Sequence, residues 1–511
     1  MCACIRVGSV AVGPVAVASD QALRGAAFIP VQLTRRSALR HIAAAATFAP
    51  AVLSGRPAFA QLPAPPKLPA SEATLLRPGD AQFNGYVPAF NSRTVLAPQL
   101  RVLCRTPQAI GTMVDWCRDY GVQFALRGRG HCFEGFSESS SVVIDTRPMR
   151  KVTVDSAAKT ATVGAGASLG DIYMAAGAHG LAFPGGSCPT VGVAGHALGG
   201  GYGFLARPFG LACDNVLSVD LIDPQGHALR ADRNHSPDLF WACRGGAGGS
   251  FGAVTGFRLQ LHSLKSVTTF SINWRQLAPA RAAEVLKIWQ RWAPHAPVAI
   301  TGNLVINRHP EGGVNLHCAG QSIGSLAELK RELKALPGAP RISQTPLIAA
   351  INDFAGGVPG WIYASSLMKG KSDYVTTPLT DDGLATLMEQ INGAKDVYVI
   401  CDAYGGAISR VAADATAFAH RGGTLFSVQY ATYWTDPAQT PSRLAMLRKF
   451  YAAMRPYVSG GAYVNYCDAD LTDWPTAYWG QNLARLKRIK TAFDPDNVFQ
   501  HGQSVPSAAS D

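Results

Sequence analysis

The sequence predicts an α+β fold in two domains, and three observations carry that prediction. The chain has 511 residues, too many for one ordinary hydrophobic core. Residues 97–264 set short apolar strands between glycine turns, with one helix among them. Beyond residue 264 the strands lengthen, and amphipathic helices come between and after them. A composition of 47% hydrophobic and 16% charged residues fits a globular chain throughout.

Residues 1–60 read as an N-terminal extension and an address. TRRSALR (34–40) precedes the apolar run HIAAAATFAPAVL (41–53) and a small-residue exit at Ala58-Phe59-Ala60. The pair Arg35-Arg36 resembles a bacterial twin-arginine signal, with Ala38 where Phe is preferred. That machinery carries folded, cofactor-loaded proteins, so the expected location is periplasmic or secreted. The apolar run is shorter than the ~20 residues a membrane span needs, and no stable span is expected in the mature chain. Residues 61–96 are proline-rich (QLPAPPKLPA) and read as an irregular lead-in.

Within 97–264, SVVID (141–145), KVTVD (151–155), TATVGAG (160–166) and VLSVDLID (216–223) read as strands, with PQGHALR (224–230) as a hairpin return. RTPQAIGTMVDWCRDYG (105–121) has helical spacing and stops at Gly121. From 265 to 458 longer strands are expected at 268–274, 298–307, 313–320, 396–406 and 424–434. Helices are expected at about 279–293, 325–336, 381–392 and 442–456, backing an antiparallel sheet with one free face. A tail, 459–506, follows.

Charge and cysteine usage exclude several functions. The net charge of +12 falls to +7 once residues 1–60, with six arginines and one aspartate, are removed. No basic stripe interleaves with aromatics, which argues against nucleic acid. Eleven cysteines occur, nine of them after residue 60, an odd number that leaves at least one unpaired or otherwise engaged. They form no CxxC and no Cys/His spacing for zinc, so no metal is expected.

The chemistry concentrates in three glycine-rich runs. LRGRGH (126–131) ends a strand in small, flexible steps and delivers a histidine. Its backbone N–H groups from Gly128 to His131 suit an anion nest, although a plain strand-to-turn junction is the more common explanation. GGSCPTVGVAGHALGGGYG (185–203) holds Cys188 and eight glycines, yet it is neither a P-loop nor a Rossmann fingerprint. FWACRGGAGGSFGAVTGF (240–257) is the third. Three such loops without a Rossmann unit point to a large cofactor wrapped by loops.

Taken in order, these runs resemble the berberine-bridge-enzyme-like flavoproteins of the vanillyl-alcohol-oxidase/PCMH superfamily. SVVIDTRPMRKVTVD, YVNYCDADL and YWGQNLARLKRIKTAFDPDNVF extend the resemblance over about 97–506. It implies a PCMH-type FAD-binding domain of two α+β subdomains (97–264), a substrate domain (265–458) and a C-terminal segment returning to the FAD domain. It also implies bicovalent FAD, through the 8α carbon at His131 and through C6 at Cys188. Arg127, Gly128, Arg129, Gly130, Val191, Gly192, Gly195, Gly200, Gly203 and Val254 fall at cofactor positions. Cys132 is read as packing or an adventitious thiol, and His196 as loop support.

The implied reaction is hydride transfer to flavin N5, coupled to proton removal by a base within reach. Tyr466 matches the family's catalytic tyrosine, although a phenol with a pKa near ~10 needs help from its neighbours. Gln429 and Tyr202 match positions that face substrate or flavin. Phe133 stands where many relatives carry a tyrosine. Val191 matches a position whose small side chain accompanies oxygen access, which tilts the reading toward an oxidase releasing hydrogen peroxide. The expected substrate is a small-molecule alcohol, with a sugar or oligosaccharide as one class, stacked on Trp274, Trp361, Tyr363, Tyr433 or Trp434. Oxidation or cyclisation of an aromatic, alkaloid-like metabolite is the alternative within enzymes. A flavin-bearing binding or resistance protein without turnover is the alternative outside them.

Overall fold

The computed structural model describes residues 62–84, 89–357 and 365–508. The signal segment expected at 34–60 lies outside them, as do Trp361 and Tyr363. Residues 64–508 belong to one compact unit built on three principal sheets. The first contains β1 (Ala73–Leu76), β2 (Leu100–Cys104), β3 (Phe124–Arg127) and β4 (Val142–Asp145), in the order β1-β2-β4-β3. β2, β4 and β3 run parallel and β1 antiparallel, so the lead-in is irregular only as far as its prolines reach. After Pro69 the chain recovers backbone donors and apolar side chains, and it adds an edge strand.

The helix Pro107–Asp119 crosses between β2 and β3. Thr106 caps it by accepting the Ala109 N–H at 3.2 Å, Pro107 opens its first turn, and Gly121 (φ +62°) follows its end. Ile110, Met113, Val114 and Cys117 form its buried face.

The second sheet uses β5 (Val152–Asp155) and β6 (Thr160–Gly164). After a two-residue β7 (Leu181–Ala182) come β8 (Val216–Ile222), β9 (Ala228–Ala231) and β10 (Ala253–Gln260). Its order is β5-β6-β10-β8-β9, all antiparallel, while a short β11 (His262–Ser263) pairs with β7.

The third sheet has seven antiparallel strands. They are β12 (Ser266–Leu277), β13 (Ile300–Arg308), β14 (Val314–Ser322), β15 (Arg341–Pro346), β16 (Leu367–Val375), β17 (Val397–Ala403) and β18 (Phe426–Trp434). Their order is β15-β12-β14-β13-β17-β18-β16. Alternate residues of these strands, such as Leu304, Val399, Cys401, Val428 and Tyr430, face a core shared with helices Pro279–Trp292, Asp381–Gly393 and Thr440–Met454. The residues between them, Asn303 on β13, Asp402 on β17 and Gln429 on β18, lie on the opposite face.

β15 and β16 are absent from the sequence expectation. β16 (LMKGKSDYV) holds Lys369 and Lys371, and each is 2% exposed. Lys369 Nζ sits 2.5 Å from both Glu134 Oε1 and Asp468 Oδ1, and Lys371 Nζ is 2.6 Å from Asp468 Oδ2. Buried charge is tolerated only with such partners, and all three carboxylate contacts come from distant sequence. Among the described residues no helix is long and apolar enough to cross a membrane.

Candidate active site

A deep cleft runs between the glycine loops and the free face of the seven-stranded sheet. It encloses about 1900 Å³ of empty space, open solvent at its mouth included. Its lining runs from the end of β3 through the glycine loops to the tail.

The first wall begins where β3 ends. The Arg127 guanidinium is 1% exposed and ion-paired with Glu138, whose other oxygen is 3.1 Å from Arg101 Nη2. This buried pairing anchors the strand end. The next residues, Gly128, Arg129, Gly130 and His131, then line the cleft. The His131 ring stacks on Phe90, centroids 4.8 Å apart and planes 18° apart. Burial first, then the charges of Arg129 and Arg127, lower the His131 pKa to about 3. The imidazole is therefore neutral at any physiological pH and keeps a nucleophilic nitrogen.

The second glycine run supplies Cys188, Val191, Gly192, Gly195, Tyr202 and Gly203 to the same cleft, and the third supplies Val254. Cys188 is 6% exposed. Its loop is pinned at Gly186, whose N–H donates to His196 Nε2 at 3.1 Å and whose carbonyl accepts the Tyr173 hydroxyl at 2.6 Å. Burial lowers the His196 pKa to about 4, so its ring is neutral and able to accept that bond. Two glycines explain the density of the run. A Cβ on Gly203 would collide with the Gly185 carbonyl oxygen, so only glycine permits that backbone crossing. A Cβ on Gly195 would meet only open space, on the side where a flat ring system has room.

The opposite wall is polar. The Tyr202 hydroxyl donates to Asn303 Oδ1 at 2.8 Å and lies 3.0 Å from the Ala403 carbonyl oxygen. Asn303 Nδ2 donates in turn to Asp402 Oδ1 at 2.8 Å. Asn303 and Asp402 line the cleft. Burial pushes the Asp402 carboxyl up to about 6, within reach of neutral pH for acid–base work. Burial, then the neighbouring Asp402 charge, holds the Tyr202 phenol well above its ordinary value, so it serves as a hydrogen-bond donor.

The tail closes the third side. The Tyr463 hydroxyl accepts the N–H groups of Gly201 and Tyr202, at 2.9 and 3.2 Å. Tyr466 lines the cleft, its ring nearly parallel to Phe133 at 5.6 Å and edge-on to Tyr463 at 4.8 Å.

Two expected site residues stand apart from the lining. Gly200 (φ +112°) packs its backbone against the Phe418 ring, a turn requirement. Gln429 is 2% exposed, paired between Ile400 and Ser372, with its Nε2 buried and without a hydrogen-bond partner. Of the expected stacking residues, Tyr433 packs in the cluster that holds Phe133, Tyr466 and Cys467, while Trp274 and Trp434 face elsewhere. The indole N–H groups of Trp274 and Trp434 are bonded to the Pro337 carbonyl and the Thr440 hydroxyl, both at 2.9 Å, and neither ring reaches the cleft. Asn303 and Asp402 were missed because they stand a hundred residues apart on strands with no motif. The only available signal was period-two alternation around each. Among the described residues no cluster of His, Cys, Asp or Glu could hold a metal ion.

Comparison with known proteins agrees with this geometry. A profile for the FAD binding domain matches residues 98–232, and one described as "Berberine and berberine like" matches 462–506. The FAD-linked oxidoreductase YgaK of Bacillus subtilis is 34% identical over 421 residues, 80% of this chain and 91% of that protein. Berberine bridge enzyme-like D-1 of Nicotiana tabacum is 33% identical over 474 residues, 80% of this chain and 83% of that one. Among solved structures, Physcomitrella patens BBE-like 1 aligns with a TM-score of 0.79 and 31% identity, over 86% of this chain and 97% of that one. Berberine bridge enzyme from Eschscholzia californica aligns at 0.80 and 27%, over 86% and 97%. Glycine loops, a tail that returns to them and a polar sheet face thus meet around one cleft, and the chain belongs to the berberine-bridge-enzyme-like FAD-dependent oxidoreductases.

Proposed function

We propose that this chain is an exported oxidase of a small-molecule alcohol, with FAD attached through both His131 and Cys188. Held by His131 and Cys188, FAD would supply the hydride-accepting chemistry, with O2 as the electron acceptor and hydrogen peroxide as the product. One observation carries the reading: a neutral His131, Cys188 and a carboxyl poised at about 6 line the same cleft. Asp402 takes the proton of the substrate hydroxyl, and Asn303 holds it in position through the 2.8 Å bond. Tyr466, fixed face-on to Phe133, orients the substrate. Val191, three residues after Cys188, keeps the lining small where oxygen would approach. Export through the twin-arginine route rests on Arg35-Arg36 and the Ala58-Phe59-Ala60 exit.

A polyol or sugar suits the Asp402–Asn303 face. An aromatic alcohol is the second reading, favoured by the parallel Phe133 and Tyr466 rings, which offer an apolar plate. Acid-precipitated protein is expected to stay yellow, with His131→Ala and Cys188→Ala each retaining one link and the double variant releasing all its flavin. Flavin that washes from the wild-type protein would end the bicovalent reading. A panel of sugars and aromatic alcohols, read by anaerobic bleaching and aerobic peroxide release, separates the substrate classes. Bleaching by no alcohol at all would leave the binding-protein reading.

A further inference from the structure

Nine cysteines occur among the described residues, and two of them differ from the rest. Cys104, Cys117, Cys213, Cys243, Cys318 and Cys401 are enclosed, and burial pushes each thiol far above its ordinary value. Cys132 and Cys467, 335 residues apart in sequence, instead bring their sulfurs within 3.6 Å of each other, and both line the cleft. One adjoins His131 and the other adjoins Tyr466. The Phe136 N–H donates to the Cys132 sulfur at 3.3 Å.

Both loops are held in register by one buried cation. Lys369 Nζ lies 2.5 Å from Glu134, two residues after Cys132, and 2.5 Å from Asp468, one residue after Cys467. The pair is thus fixed by a rigid clamp as well as by its own contact. The contact with Cys467, then the backbone N–H groups of Glu134 and Phe136, outweigh burial and lower the Cys132 thiol below its ordinary value. A thiolate is the species that attacks peroxides, so this sulfur is the reactive member.

We propose that Cys132 and Cys467 are a peroxide-responsive dithiol whose disulfide staples the loop bearing His131 to the loop bearing Tyr466. The Cys132 thiolate attacks one oxygen of hydrogen peroxide, the O–O bond breaks, and the departing hydroxide takes a proton to become water. Cys132 is then a sulfenic acid, oxidised by two electrons. The Cys467 sulfur attacks it, the S–O bond breaks, and the hydroxyl leaves as water with the Cys467 proton. Two thiols and one hydrogen peroxide give one disulfide and two waters. Closing from 3.6 Å to a bond of about 2.05 Å asks for a movement of roughly 1.5 Å. The oxidant is hydrogen peroxide from any source, so the inference stands apart from the oxidase reading.

The test uses the purified flavin-loaded protein, treated with hydrogen peroxide, alkylated in denaturant with N-ethylmaleimide and digested. The expected product joins the peptide carrying Cys132 to the one carrying Cys467, two mass units lighter than their sum, and dithiothreitol restores both thiols. Cys132 is expected to react at least tenfold faster than any of the six enclosed thiols. Cys467→Ser is expected to stop at a sulfenic acid on Cys132 that dimedone traps. Two thiols still alkylated after peroxide, a Cys132 sulfinic acid without the crosslink, or a crosslink between any other pair overturns the proposal. The wild-type measurement needs no variant to fold.

Discussion

The two long walls of the cleft are built on opposite principles. The loop wall is made of three short runs, each dense in glycine, is backed by a buried arginine–carboxylate cluster, and brings neutral His131 and Cys188 forward. The sheet wall draws single residues, Asn303 and Asp402, from separate strands and links them to each other and to Tyr202 of the glycine loop. The first wall is shaped to hold a cofactor and the second to manage a proton. Substitutions on each should therefore fail in different ways.

The largest effect is expected at Asp402. Asp402→Asn should lower kcat by about 10²–10⁴-fold while the flavin content of acid-precipitated protein stays unchanged. Since Asp402 must be ionised to accept a proton and its pKa is raised to about 6, wild-type kcat/KM should climb about tenfold per pH unit below 6 and level off above. That limb should vanish in the variant. The raised value also means that the folded protein binds the extra proton between roughly pH 4 and 6. Stability from this group accordingly falls as pH rises through that window, and Asp402→Asn should flatten the fall in urea titrations.

Next in size is Asp494, which with Lys490 ties the tail to the third glycine loop at Ser250. Lys490 Nζ is fully enclosed, 2.6 Å from Asp494 Oδ2 and bonded to the Ser250 and Phe499 carbonyls at 2.8 and 2.7 Å. Asp494→Ala leaves that ammonium buried without its carboxylate, and unfolding by urea should show a loss of about 3–5 kcal/mol. Gly203→Ala on the loop wall forces a Cβ onto the Gly185 carbonyl and should cost about 1–3 kcal/mol. It should reduce flavin retention and leave the pH profile of the loaded fraction intact. A shifted profile would erase the division between the walls. Smallest is Trp434→Phe, which removes the 2.9 Å bond to Thr440. About 1 kcal/mol of stability should go, with KM unchanged for any sugar. A KM that rises would put that ring back on the substrate.

The same contrast explains what could be read without coordinates. Cys188, Val191, Gly195 and Tyr202 were legible because one short run carries them all, and its glycine density is a local physical demand. The helix Pro107–Asp119 was legible from its helical spacing and its stop at Gly121, both local signals. β16 was not, because Lys369 and Lys371 look solvated until Glu134 and Asp468 arrive from far away in the chain. Asn303 and Asp402 stayed hidden for the same reason, since a register of strands gives them their meaning and a motif does not. Cys132 was read as a bystander because its partner lies 335 residues on.

The returning tail has a consequence in time. Tyr463 to Cys467 and Gln500 to Gln503 line the cleft, yet they belong to the last fifty residues of the chain. A polypeptide still being synthesised has both long walls and no third side, so its cleft gapes toward solvent. Flavin capture is therefore expected to wait for the tail to be in place. Truncation at residue 461 should yield a protein that never turns yellow, however well its sheets assemble.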